Sequence, residues 1–313
     1  MARGDFVDTD LQKSSPSSRS SDPVATFEAE RSKVIGRRRF YRLFFLLGTL
    51  ILFIWSFSVS EIFGGDMGSD PLGRMLTFLD KMTPDLEAPL LLEGAETPGS
   101  FSNWYYGMPL WGPALLETVQ MAIFATILGA FLSIPAALLC SRNLVPYAPL
   151  RAGVRRILEA IRTLPDIIVA MILVAAFGIG PLAGVITIVL STVGRLGKLF
   201  SEINENADMR QLEGIRSSGG NWWDQIRYGL FPQVAPGYAS YAMLKFEGNI
   251  SAAAALGIVG AGGIGIELAR AITYTQFTDY LAILLMMTVL IFAIDIASEA
   301  IRHRLIGVKV ASA

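Results

Sequence analysis

The chain has 313 residues, of which 52% are hydrophobic and only 17% are charged, with a net charge of −1 and a mean hydropathy of +0.49. Soluble domains average about 25% charged residues, so this composition indicates a membrane protein. The single cysteine, Cys140, excludes an internal disulfide and a multi-cysteine metal site. The single histidine, His303, lies between two arginines near the C-terminus, and no Ser-His-Asp or Cys-His catalytic arrangement is expected.

The N-terminal region combines a polar tail with the first apolar run. Residues 1–30 are rich in Ser, Asp and Pro and basic residues follow, so we predict a disordered basic cytoplasmic tail over residues 1–42. The uncharged run 43–60 has about the length that spans a bilayer. Arg38–Arg42 resembles a twin-arginine signal, but cleaved signals have shorter apolar stretches of about 7–15 residues. Residues 43–60 are therefore predicted to be an uncleaved first transmembrane helix.

Residues 61–113 are predicted to form an extracytoplasmic segment. Leu72, Met75, Leu76 and Leu79 fall on one helical face, which predicts a short helix along the membrane surface. The later aromatic residues, Phe101–Tyr106 with Trp111, are typical of a belt at a membrane boundary. Substrate contact by these aromatics is the alternative interpretation.

Residues 114–305 are predicted to be a five-helix core, followed by a cytoplasmic tail at 306–313. The third span of the whole chain begins near Leu164-Pro165-Asp166, where a proline and an acid suit a first helical turn, and ends in a tight turn at Gly178–Pro181. The predicted spans are 115–139, 164–178, 182–200, 238–259 and 280–301.

Basic residues set the orientation. Of 26 Lys and Arg residues, nine fall in residues 1–42, five in 141–162, five in 195–227 and three in 302–309. The positive-inside rule then places both termini and the segment Glu202–Pro236 in the cytoplasm. Of the remaining four basic residues, Arg74, Lys81 and Arg270 fall on the opposite side of the membrane in this prediction, and Lys245 falls inside a span.

The segment 202–236 carries the most informative motif. Glu213 is followed six positions later by Gly219 and then by Gly229-Leu230-Phe231-Pro232. This spacing resembles the E-A-A-x3-G-x9-I-x-L-P loop of ATP-binding-cassette (ABC) importer permeases, with departures at Gly214, Ile215, Gly229 and Phe231. The resemblance implies two short helices that contact an ATPase subunit through Glu213, Gly214, Gly219, Trp222, Trp223 and Pro232. An ordinary amphipathic cytosolic loop, with Glu, Gly and Pro as helix punctuation, is the alternative.

Residues 115–305 resemble the phosphonate-type branch of this family. The matching segments are Arg162–Asp166, Leu196–Leu199, Phe246–Asn249 and Leu256–Gly265, and the departure is Ser251, where the branch often has a basic residue. The resemblance implies an all-α, polytopic membrane protein with the type I ABC importer permease fold, six transmembrane helices and cytoplasmic termini. The implied cargo is phosphonate, phosphite or phosphate, and the implied location is the bacterial inner membrane.

The same resemblance implies the partners. These are a cytoplasmic ABC ATPase dimer that binds ATP and Mg²⁺, an extracytoplasmic substrate-binding protein, and a second permease copy, with a homodimer favoured over a heterodimer. The chain contains no G-x4-G-K-[ST] motif, so an ABC importer must obtain its ATPase from another polypeptide. We expect a transport subunit without its own ATPase site, no cofactor bound by this chain and no nucleic-acid partner. Rival interpretations are an importer permease for methionine or another small solute, a stand-alone secondary transporter, and a membrane enzyme.

Three polar residues in the fifth span are candidates for the substrate path. Lys245 lies nine residues after Pro236, about 13 Å along a helix, where an ionisable group is costly unless it faces water or a partner. Lys245 and Asn249 share a helical face and are predicted to line an anion path, with Glu247 pointing elsewhere. A structural pair between Lys245 and a glutamate is the alternative. Arg195 and Lys198 are either the inner exit of that path or ordinary positive-inside flanking.

The segment Gly260–Gly265 satisfies G-x-G-x-x-G, and Asp279 follows at a distance typical of a ribose-binding acid. A dinucleotide site requires a preceding strand, whereas an apolar helix is predicted here. These glycines are therefore predicted to permit close backbone packing where helices meet.

Overall fold

The computed structural model describes residues 23–59 and 71–306, and all regular elements within these ranges are helices. The prediction of an all-α protein is confirmed. The chain divides into two compact units, residues 1–74 and 75–313. The helices are α1 (Pro23–Val59), α2 (Pro71–Met82), α3 (Phe101–Trp104), α4 (Met108–Cys140), α5 (Ala148–Thr163), α6 (Asp166–Phe177), α7 (Pro181–Glu205), α8 (Met209–Ser217), α9 (Trp222–Asp224), α10 (Phe231–Gly257), α11 (Ile264–Thr273) and α12 (Phe277–Ile306), with a π-helical turn (Gln225–Leu230) directly before α10.

Helix α1 begins earlier than the sequence patterns indicated. It runs from Pro23 to Val59, so residues 23–42, which were predicted to be disordered, are helical. Proline is favourable at the first helical position, and residues 24–35 contain no Pro or Gly but several strong helix formers, which explains the extension. The tail prediction for residues 1–22 and 307–313 lies outside the described residues. The predicted domain boundaries as a whole stay predictions.

Four described helices are long and apolar enough to cross a membrane: Val34–Val59, Met108–Cys140, Pro181–Glu205 and Phe277–Arg302. Helices α5 and α6 form a fifth candidate only as a pair, bent by 84° at the break between them. Alone, the 12 residues of α6 extend about 18 Å, too short for a hydrocarbon core of about 30 Å. Each predicted span coincides with a helix, but the count of six membrane crossings stays a prediction.

The second unit is built on α4, α7 and α10, which pack along one another. Small residues allow the close approach: a Cβ on Gly129 of α4 would lie 2.6 Å from Thr192 Cγ2 of α7. Buried apolar residues form one cluster around Leu196, Phe200 and Leu230, at the end of the bundle predicted to face the cytoplasm and here called the inner end, and another around Ile188 and Leu256. Small residues at helix interfaces are typical of packing in membranes.

The glycine-rich segment after α10 is a packing turn. Gly260 and Gly262 have φ angles of +88° and +93°, and a Cβ on Gly257 would lie 2.6 Å from the Cα of Gly265. The backbone N–H of Ile264 donates to Thr118 Oγ1 at 2.9 Å, which joins the start of α11 to α4. A helix precedes this segment, in agreement with the prediction that its glycines serve backbone packing.

Candidate functional site

The segment around Glu213 folds into a short helix with defined ends. The Asp208 side chain accepts a hydrogen bond from the backbone N–H of Arg210 at 3.0 Å and caps the N-terminus of α8. At the other end Gly219 has φ +88°, a conformation that favours glycine, and the backbone N–H of Gly220 donates to the carbonyl of Ile215 at 2.9 Å. The predicted turn at Gly219 therefore matches the structure.

The second helix of the motif begins with a reciprocal cap. The Asn221 side chain accepts from the Asp224 backbone N–H at 3.0 Å, and the Asp224 carboxylate accepts from the Asn221 N–H at 2.9 Å. From Trp222 the chain continues through the π-helical turn into α10 without a gap. We attribute the wide turn to Pro232, which lacks an N–H and whose ring clashes with the carbonyl four residues earlier in an ordinary helix.

Helix α8 is fixed to the bundle by contacts on its inner face. Leu212 is buried in the inner cluster, and a Cβ on Gly229 would lie 3.2 Å from Leu212 and 3.1 Å from Ile215. The glycine that replaces isoleucine of the family motif therefore sits where the two helices touch. Gln233 of α10 accepts from the Asp208 N–H at 3.0 Å and donates to the Asp208 carbonyl at 3.2 Å.

The outer face of the same segment is exposed. Glu213 and Gly214 lie on the surface, as do Trp223 (68% exposed) and Tyr228 (61% exposed). Trp222 packs edge-on against Trp223 with ring centroids 4.7 Å apart, and its indole N–H points to the carbonyl of Leu144 at 3.4 Å. Exposed aromatic clusters of this kind mark interaction surfaces. We call Glu213, Gly214, Trp222, Trp223 and Tyr228 the coupling surface, after the contact with an ATPase that the family resemblance of this segment predicts.

A buried polar network joins the helices on either side of segment 202–236. The sequence patterns did not reveal this network. Tyr238 donates to the Asn204 side chain at 2.6 Å, and Asn204 donates to Ser141 Oγ at 3.1 Å. The Tyr238 ring also stacks on Phe200 with centroids 4.0 Å apart. Asn204 is fully buried, so these bonds fix the inner ends of α4, α7 and α10 together.

The three candidate path residues of α10 divide into two groups, because Lys245 and Asn249 both lie against α7 whereas Glu247 lies against α12. Asn249 has no exposed surface and donates to Thr126 at 2.8 Å and Thr192 at 3.0 Å, so it joins α4, α7 and α10. The role of Asn249 in lining an anion path beside Lys245 stays a prediction. The exposure of a helical residue depends on the helices that pack over it, and α4 and α7 cover Asn249 completely.

Lys245 lies half-buried one helical turn before Asn249 in α10, and both residues lie against α7. It is close enough to Arg195 of α7 and Asp166 of α6 for electrostatic interaction with both. Arg195 Nη2 lies 3.3 Å from Asp166 Oδ2. The structure therefore groups Lys245 with Arg195. From the sequence, Arg195 was either the inner exit of the path or an ordinary positive-inside flanking residue.

Glu247 lies against α12. Its carboxyl group lies beside Asp295 and Ser298, and it borders a cleft that also contains Ser251 and Thr288. One of its oxygens, Oε1, is buried and has no hydrogen-bond partner in the part of the chain that the structure describes. Glu247 thus belongs to the α10–α12 groove rather than to the Lys245 group.

The aromatic segment before α4 contacts the start of α12. The indole N–H of Trp104 donates to the carbonyl of Thr278 at 3.0 Å, and Tyr106 donates to the Asp279 carboxylate at 2.6 Å. This hydrogen bond, with burial and the charge of Asp279, raises the pKa of Tyr106 to about 12. Asp279 is therefore the acceptor for an anchoring tyrosine.

Comparison with known proteins identifies the family. A family model described as "binding-protein-dependent transport system inner membrane component" matches residues 129–307. The chain belongs to this family. Like its other members, it is a membrane component of an importer, which agrees with the predicted inner-membrane location.

Three relatives of this chain are named as permeases for phosphorus compounds. A phosphate-import permease protein of Mycolicibacterium smegmatis is 36% identical over 193 residues, and these cover 62% of this chain but only 36% of the relative. A phosphite transport system permease protein of Stutzerimonas stutzeri is 35% identical over 212 residues, which cover 67% of this chain and 75% of the relative. A third protein, named as a cryptic phosphonate transport system permease of Escherichia coli, is 39% identical over 117 residues, 37% of this chain and 96% of that protein.

Solved structures show the fold of the importer permease. The methionine ABC transporter in an inward-facing conformation matches with a TM-score of 0.57 and 19% identity, over 63% of this chain and 97% of that chain. A bacterial ABC transporter for the acidic polysaccharide alginate matches with a TM-score of 0.57 and 13% identity, over 86% and 98%. The predicted type I ABC importer permease fold is therefore confirmed.

Proposed function

We propose that this chain is the membrane-spanning permease subunit of an ATP-driven importer for phosphonate or a related phosphorus oxyanion. The observation that carries the proposal is the 35% identity to a phosphite permease over three quarters of that protein. The relatives named for phosphate and phosphonate transport support the same cargo class. The methionine transporter resembles the chain at only 19% identity and supports the fold alone, so a methionine cargo is not favoured.

The proposed motor is a separate cytoplasmic ABC ATPase dimer that binds ATP and Mg²⁺. The coupling surface supports this partner because it exposes two tryptophans and a tyrosine on a hairpin whose inner face is fixed to the bundle. Aromatic anchors of this kind dominate binding energies at interfaces. In this proposal the chain itself transports and the partner hydrolyses ATP.

Two further partners complete the proposed importer. In this proposal an extracytoplasmic binding protein delivers the anion, and the family description, which names binding-protein-dependent transport systems, supports such a partner. A second copy of the same chain forms the other half of the permease, which we favour over a sister chain. The lipid bilayer surrounds both copies, since several long helices present exposed apolar side chains.

Force from the motor has a direct route into the membrane helices. Closure of the ATPase dimer would displace α8, and Gln233 together with Leu212 ties α8 to the first turns of α10. Helix α10 continues to Gly257 and carries Lys245 and Glu247, so its movement alters the polar groups proposed to face the anion. Hydrolysis and release of the ATPase pair would reset the helices.

Reconstitution tests the cargo directly. We would purify the chain with its genomic ATPase and binding-protein partners, place the complex in lipid vesicles, and measure ATP-dependent uptake of methylphosphonate, phosphite and phosphate. Uptake of at least one anion, absent with an ATPase unable to hydrolyse ATP, is expected. Uptake of methionine in preference to all three anions would overturn the proposed cargo but leave the permease role intact.

A further inference from the structure

The break between α5 and α6 places a carboxylate beside two cations where α6, α7 and α10 meet. The two helices meet at 84°, and Asp166 is the first residue of α6. Arg195 lies 14 residues into α7 and Lys245 14 residues into α10, each about 21 Å from the start of its helix. Ionisable groups within a membrane-spanning helix usually serve a pathway or a partner.

The contacts to Asp166 are loose. Arg195 Nη2 reaches Asp166 Oδ2 at 3.3 Å, and Ser191 Oγ donates to the same oxygen at 3.2 Å. Charge-assisted hydrogen bonds are usually about 2.7–2.9 Å long, and Arg–carboxylate pairs are frequently bidentate. Here the pair is long and single, and the Arg195 side chain remains 42% exposed.

The charges of this group do not balance. Arg195 and Lys245 supply two positive charges, and Asp166 supplies one negative charge. Ser191, which is buried, adds a hydroxyl donor directed at the same oxygen. A guanidinium, an ammonium and a hydroxyl group are hydrogen-bond donors suited to a tetrahedral oxyanion. Such an anion has more acceptor oxygens than a carboxylate has.

We propose that Asp166 is an internal counter-ion that occupies an oxyanion site formed by Arg195, Lys245 and Ser191 and is displaced by the transported anion. This inference rests on the proposed function, because it names where the phosphorus oxyanion passes. Competition from Asp166 would keep the site from holding the anion tightly. Conduction requires binding that is favourable enough for entry yet weak enough for release.

The competing role for Asp166 is a purely structural link between α6 and α7. The two roles predict different changes in anion affinity when the charge of Asp166 is removed. Removing the charge of a structural link weakens the fold and leaves anion affinity unchanged or lower. Removing an internal competitor raises anion affinity, since the two cations are then available to the anion.

The test uses the complex with its ATPase in lipid nanodiscs and inorganic phosphate as the probe. The thermal unfolding midpoint is followed against phosphate concentration, with sodium chloride at equal ionic strength as reference, and yields an apparent Kd. For Asp166→Asn we expect about tenfold tighter phosphate binding than wild type, and for Arg195→Gln or Lys245→Met loss of the phosphate-dependent shift. Glu159→Gln, which removes the carboxylate of a separate ion pair with Arg156 on α5, is the matched control and should bind as wild type.

Two further variants keep the test decisive. Asp166→Glu retains the competing charge and should bind phosphate as wild type does, whereas Asp166→Ser replaces Asp166→Asn if that variant does not fold. Equal or weaker phosphate binding in the uncharged variant overturns the counter-ion role. If wild type imports no phosphorus oxyanion but the uncharged variant binds phosphate more tightly, the proposed cargo is wrong and the counter-ion assignment stands. If wild type takes up a phosphorus oxyanion but the uncharged variant binds phosphate with unchanged affinity, the proposed cargo stands and the counter-ion assignment is wrong.

Discussion

Gln233 holds the backbone of Asp208 from both sides. Its side-chain oxygen accepts from the Asp208 N–H at 3.0 Å, and its amide nitrogen donates to the Asp208 carbonyl at 3.2 Å and to the Gly229 carbonyl at 2.7 Å. Asp208 caps α8, whereas Gln233 lies in the first turn of α10. One side chain therefore joins the start of the proposed motor-contacting helix to the helix that carries Lys245.

Replacing Gln233 with leucine should uncouple the motor from transport. The substitution removes three hydrogen bonds of about 1 kcal/mol each at most, and it leaves the exposed coupling surface unchanged. We expect ATP hydrolysis near the wild-type rate with uptake per ATP reduced about tenfold. Gln225→Leu is the matched control, because Gln225 makes a single 3.5 Å contact with Gly220. Equal uptake per ATP in both variants would exclude Gln233 from force transmission.

Trp223→Ala should weaken binding of the ATPase. Trp223 is 68% exposed and belongs to the coupling surface, so truncation removes interface area without opening the core. We expect at least a tenfold rise in the Kd for the ATPase, about 1.4 kcal/mol, with an unchanged unfolding midpoint of the permease alone. Tyr274→Ala removes an equally exposed aromatic from the turn before α12 and should leave the Kd unchanged. Equal effects of the two variants would argue against the coupling surface.

Local features of the fold followed from the sequence because they depend on nearby residues. The turn at Gly178–Pro181 and the break at Gly219 both use backbone conformations that favour glycine, and both are found where predicted. The helix predicted from Leu72 and its neighbours is α2, and its position along the membrane surface stays a prediction. Amphipathic periodicity and helix punctuation carry such information over a few turns.

Contacts between distant segments could not be predicted in the same way. Asn249 lies far along the chain from its partner Thr126, and Asn204 is similarly distant from Ser141. In a membrane bundle, apolar residues face both lipid and core, so hydropathy does not reveal which face another helix covers. The sequence therefore predicted that Lys245 and Asn249 share a helical face, but not that α4 and α7 bury the Asn249 amide.

Gly257→Ala should destabilise the turn between α10 and α11. A Cβ at this position would lie 2.6 Å from the Cα of Gly265, so backbone rather than a flexible side chain must move. Such overpacking costs about 1–3 kcal/mol, and a lower unfolding midpoint in detergent is expected. Gly112→Ala in α4 is the control, since no atom lies within 4 Å of its added Cβ, and alanine favours helix. A midpoint for Gly257→Ala as high as that of the control would contradict the packing role.

The Tyr106–Asp279 hydrogen bond should stabilise the protein only while Tyr106 is protonated. Its folded pKa of about 12 exceeds the ordinary value of 10, so the neutral form is favoured in the folded state. This contribution is fully present below pH 10 and is lost as the pH rises from 10 through 12. The difference in unfolding midpoint between wild type and Tyr106→Phe should be largest at pH 8 and should shrink at pH 11–12. A difference that is constant or increases over this range would contradict the assignment.

Lys245→Met should abolish anion uptake while the complex assembles and retains basal ATP hydrolysis. Methionine keeps much of the apolar volume of the side chain but removes the charge that lies beside Arg195 and Asp166. The expected loss of uptake exceeds tenfold, because a charged donor to an oxyanion contributes more than a neutral one. Arg156→Met, on the exposed face of α5, removes a cation paired with Glu159 and should transport normally. Unchanged uptake in Lys245→Met would remove Lys245 from the path, and loss of assembly would instead indicate that its charge serves the fold.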